Sequence, residues 1–217
     1  MKTLSKVVAL AAPVTLVASI LATSVAGAQS FSLGLRGSGS FPTGAFAQSS
    51  SSSSASSAAI EGAKNGFGYG LDAGLAVGFI GLYAGFDHIK FDCQTSTCRS
   101  DGKYTLQGVT AGVKLAAGGA SIIRPFAKAG VTFNDLQGGY GGSSSNALTT
   151  DKAPGYELGA GADVSLAGIV SLSPQVRYVG QNLKAKIPGV NAPAPTSSGV
   201  NYFSFDLGLS LHTPFAK

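Results

Sequence analysis

Tryptophan is absent from the 217 residues, methionine occurs once, cysteine and histidine twice each, and charged residues make up only 12%. Each scarcity excludes something. His88 follows Asp87 directly, so a strand would send the two to opposite faces, and His212 lies beyond the last regular alternation. Neither forms a dyad with a nucleophile, and no enzyme is expected. Two cysteines with no histidine nearby and no second thiol pair cannot complete a tetrahedral zinc site, and no motif calls for a cofactor. The formal net charge of +5 is scattered, with no lysine or arginine run to track phosphates, which argues against a nucleic-acid partner. Beyond residue 28, no stretch approaches the ~18 unbroken apolar residues of a membrane helix.

What is present begins with MKTLSKVVALAAPVTLVASILATSVAGAQS. Lys2 and Lys6 precede an apolar run that ends in Ala26-Gly27-Ala28, a small-x-small cleavage pattern. Residues 1–28 therefore read as a secretory signal peptide and 29–217 as one domain. In an exported chain the close pair Cys93 and Cys98, in "CQTSTC", reads as a disulfide. Glycine is abundant, 31 residues, and lies inside alternating segments as well as in turns.

Those segments have a period of two. In "GYELGAGADVSL", Tyr156, Leu158, Ala160, Ala162, Val164 and Leu166 alternate with Glu157, Gly159, Gly161, Asp163 and Ser165. The pattern recurs eight times, near 31–38, 67–77, 82–87, 103–115, 123–133, 155–166, 170–179 and 202–211. Short turns join the second strand to the third, the fourth to the fifth and the sixth to the seventh. Long polar loops fall near 41–65, 92–102, 134–154 and 182–199. Placing every long loop at one end of an even number of strands predicts an all-β fold, an eight-stranded antiparallel up-and-down transmembrane β-barrel.

In this register the inward charges are Arg36, Lys114, Arg124, Lys128 and Arg177 against Asp72, Asp87, Glu157, Asp163 and Asp206, with the inward glycines leaving room for large side chains. The outward positions of strands two and four to eight carry no charge. That asymmetry suits lipid outside, where a lysine or arginine at the bilayer midplane costs about 2–4 kcal/mol. An eight-stranded barrel is just wide enough for side chains to fill, so a plugged polar lumen is expected. Pro125 and Pro174 each delete a ladder hydrogen bond, a loss that a bulge near the short turns could absorb.

The stretches "RPFAKAGV", "GYELGAGADV", "QVRY" and the final strand resemble the small outer-membrane β-barrel family of OmpA-like, OmpX-like and opacity-like porin-family proteins. The resemblance implies location in the outer membrane of a double-membraned bacterium, with membrane lipid and the insertion machinery as partners. It also implies an assembly signal in the last strand, matched here by Asp206, Gly208 and Leu211, with Thr213 at the final hydrophobic position. The expected function is a non-enzymatic, monomeric barrel acting structurally or through a surface ligand held by its external loops, one of which carries the poly-serine run "QSSSSSSASSAA". A narrow diffusion pore is the alternative.

Overall fold

The computed structural model describes residues 29–48, 60–93, 102–117, 122–139, 147–186 and 197–213. The signal peptide expected at 1–28, most of the poly-serine run and Cys98 lie outside them. Among the described residues nine strands follow in order: β1 (Gln29–Thr43), β2 (Ala63–Val77), β3 (Ile80–Cys93), β4 (Lys103–Ala116), β5 (Ile123–Gly139), β6 (Ala147–Thr150), β7 (Ala153–Ala167), β8 (Val170–Lys186) and β9 (Ser197–His212). Each pairs antiparallel with its neighbours, and β9 pairs with β1 from Ser32↔His212 to Thr43↔Asn201, so the sheet closes. Short β6 continues the line of β7 between β5 and β8, giving eight staves from nine strands. At the break, the Thr150 hydroxyl accepts from Leu136 N–H at 2.8 Å and donates to the Leu136 carbonyl at 3.3 Å, replacing ladder bonds with side-chain ones.

The first and last hairpins between short-turn partners are tighter than the sequence suggests. Gly78-Phe79 and Gly168-Ile169 are two-residue turns in which only the glycine has positive φ, +62° and +45°. A first central glycine with a negative-φ successor matches the type II′ pattern and excludes type I′. Conversely, the strands run further into the long connections than expected, taking in residues 134–139, 147–150, 182–186 and 197–199.

The reason is an inversion of polarity along the strands. In the half nearest the short turns, apolar residues face outward: Leu33, Leu71, Leu82, Val113, Leu158, Leu207 and Leu211 are all about half exposed or more. Toward the long loops the phases exchange. Ile89, Phe91, Leu106, Leu136, Leu183 and Val200 are fully buried, while Lys90, Asp92, Lys103, Gln137, Asn182 and Lys184 are exposed on the other face. The alternation persists with the opposite sign, so the barrel continues past the apolar band into water. From Phe203 to Leu211, eight residue steps of about 3.3 Å tilted at about 40° span roughly 20 Å, close to the height of a membrane-barrel apolar band. Tyr156, Tyr178 and Phe203 form a chain of ring contacts at 6.0 and 4.9 Å on the outward face, as expected near a lipid–water interface.

Pro125 and Pro174 both lie outward in the short-turn half. At Pro174 no bulge forms. The β7–β8 ladder lapses between Gly161↔Gln175 and Val164↔Leu172 without losing register, and Ser173 Oγ spans the lapse by donating to Asp163 Oδ1 at 2.8 Å. The bulge in this hairpin falls instead between Ser165 and Ala167, beside the turn.

Candidate functional site

The interior is stacked in three tiers. The middle tier is ionic, and its centre is Arg177, fully buried on β8. Its guanidinium donates to Asp206 through Nε, to Glu157 Oε2 at 2.8 Å and to both carboxylate oxygens of Asp87 at 3.1 Å. Arg36 from β1 bridges Asp72 at 2.5 Å and Asp87 at 2.7 Å, and Lys128 reaches Glu157 at 3.0 Å. The Tyr83 hydroxyl donates to Glu157 Oε1 at 2.9 Å, and the Lys128 ammonium lies 4.9 Å from the centre of the Tyr83 ring. Seven of the eight staves thus meet at one cluster.

Glycine makes this density possible. A Cβ on Gly70 would lie 2.7 Å from Arg36 Nη2, and one on Gly130 would lie 2.5 Å from the Tyr83 hydroxyl. The inward glycines are therefore recesses for large side chains, as the alternation indicates.

The tier toward the short turns is polar and more open. Lys114 donates to Asp163 at 2.8 and 3.0 Å and sits 3.8 Å over the Phe126 ring. A cavity of about 140 Å³ lies here, lined by these residues together with Arg124, Ser210 and His212. Arg124 faces Asp163 across the β5–β7 ladder yet makes no ion pair among the described residues. Nine of the ten expected lumen charges are thus joined in ion pairs, and Arg124 is the exception.

The tier toward the long loops corrects the expectation of a polar lumen throughout. Ile89, Phe91, Tyr104, Leu106, Leu136, Val179, Leu183, Val200 and Tyr202 form an apolar core, closed from above by Phe46 and Ile60. Phe46 belongs to a 3-10 turn at Gly44–Phe46 and packs edge-on against Phe91 at 5.1 Å. The Tyr104 hydroxyl ties the same cap down by donating to the Glu61 carbonyl at 3.1 Å. The signal was available in the sequence: Ile89 and Phe91 continue the inward phase of Asp87.

The remaining candidates fall in separate places. His88 is outward, stacked on Tyr69 at 5.1 Å, whereas Asp87 is in the lumen; His212 shares a 3.0 Å hydrogen bond with Ser210. Asp206 and Gly208 face inward and Leu211 faces outward. Thr213 Oγ1 accepts from Phe31 N–H at 2.9 Å, tying the end of β9 to the start of β1. Cys93 ends β3, and its expected partner Cys98 lies outside the described residues.

Residues 14–212 match the outer membrane protein beta-barrel domain family. The chain belongs to that family. An outer-membrane location makes the outward apolar band lipid-facing. Among solved structures the fold resembles Neisserial surface protein A, with 14% identity over 83% of this chain and 96% of that one and a TM-score of 0.59. It also resembles OprG from Pseudomonas aeruginosa (13% identity, 87% and 97% coverage, TM-score 0.55) and outer membrane protein W from E. coli (14%, 87% and 100%, TM-score 0.50). No curated protein matches the chain.

Proposed function

We propose that this outer-membrane barrel is a non-conducting, non-enzymatic scaffold whose work is done by its external loops. The carrying observation is the stacking of two closed tiers in series, the ionic cluster around Arg177 and the apolar core under Phe46. A solute would have to part both. A guanidinium shared by three carboxylates at Arg177, and an apolar core whose buried polar neighbours Asn134 and Gln181 bond to each other at 3.1 Å, oppose a permanent water file. The placement of His88 and Asp87 on opposite faces supports a barrel without hydrolytic chemistry; ester or lipid hydrolysis abolished by His88→Ala would contradict it. We also assign Cys93 and Cys98 to a disulfide that pins the base of one external loop, with Asp206, Gly208 and Leu211 as the assembly signal.

Proteoliposome swelling tests the closed lumen. Vesicles carrying folded protein are expected to swell in small sugars no faster than empty ones. Swelling that falls off with sugar size would establish the alternative, a narrow diffusion pore.

A further inference from the structure

We infer that the short-turn end of the lumen holds a binding site for a small oxyanion, of phosphate or carboxylate type, centred on Arg124. Every lumen carboxylate is already committed. Asp163, the natural cross-strand partner of Arg124, accepts two hydrogen bonds from Lys114 and a third from Ser173 at 2.8 Å. Asp72 is held by Arg36, and Glu157 by Lys128 and Arg177. Among the described residues the Arg124 Nε is buried without a hydrogen-bond partner. A partly desolvated guanidinium without an acceptor is an unfavourable arrangement that an incoming anion would relieve.

The surroundings fit such a ligand. The cavity of about 140 Å³ onto which Arg124 opens has room for a small oxyanion and accompanying waters. Lys114 adds positive potential from β4, and Ser210 and His212 supply hydroxyl and imidazole on β9. The planar fork of arginine matches two oxygens of a carboxylate or phosphate at once, which a halide cannot exploit. Nothing in this site depends on whether the lumen conducts, because the ionic tier lies above it.

The test is titration of refolded mature protein in detergent micelles, following the Arg124 side-chain Nε–Hε resonance, with inorganic phosphate, acetate or chloride at matched ionic strength. Saturable shifts with phosphate or acetate but not chloride are expected, and the tighter of the two names the source. Arg124→Lys, which keeps the charge and loses the fork, should weaken binding about tenfold or more in Kd. Its folding is checked by heat-modifiable gel mobility. An equal response to chloride, or no saturable shift in the wild type, overturns the proposal.

Discussion

At the scale of single residues, the fold depends on exchanging glycine for space and on pairing every expected lumen charge but Arg124. Arg177 and Glu157 are about 1% exposed and joined at 2.8 Å. Such a pair need not stabilise relative to an apolar substitute, since desolvation opposes the attraction, but removing one member strands the other. Arg177→Ala and Glu157→Ala are each expected to lower the unfolding free energy by about 3–5 kcal/mol. Ser165→Ala, outside the network, should stay within about 0.5 kcal/mol. Urea titration read by circular dichroism or gel mobility measures this, since the chain has no tryptophan to report. Gly130→Ala should cost about 1–3 kcal/mol by displacing Tyr83 from Glu157, whereas Gly37→Ala, with no atom within 4 Å of its Cβ, should be close to neutral. The identity of the ten lumen charges was legible because inward and outward residues alternate through the strand segments that carry them. Which acid takes which cation was not, because partners such as Arg177 and Asp87 stand 90 residues apart and meet only when the circle closes.

At the scale of the strand, the informative feature is the exchange of faces. Leu207 lies within the lipid-facing band of β9, and Asn182 lies on the outward face of β8 beyond it. Leu207→Lys is expected to destabilise the barrel by about 2–4 kcal/mol, and Asn182→Lys by about 0–1 kcal/mol. Equal effects in the same urea titration would mean that the band does not end where the polarity inverts. The inversion also explains why strand ends were the least legible part of the fold. A lipid-facing strand is recognised by its apolar outward set, and that set stops at the membrane although the hydrogen-bonded ladder does not. Residues 134–139 and 182–186 therefore look like loop while continuing β5 and β8. The break between β6 and β7 was hidden for another reason: Thr150 replaces ladder bonds through its side chain, which leaves no trace in hydropathy.

At the scale of the whole molecule, the barrel has a lipid-bound lower part around a charged interior and a water-exposed upper part around an apolar one. The loop-derived cap makes the upper core a packed unit, so Phe46→Ala should cost about 3–5 kcal/mol. Because the ionic tier beneath it is intact, that variant is expected to remain closed to solutes. The claim that the two tiers shut the lumen is tested most directly by single-channel recording of the folded protein in planar bilayers, alongside Glu157→Ala and Phe46→Ala. The account predicts no discrete openings in the wild-type chain or in either variant, since each leaves one tier in place. Steady openings of uniform size in the wild type would contradict it, and a changed size in Glu157→Ala would route the current through the charged cluster.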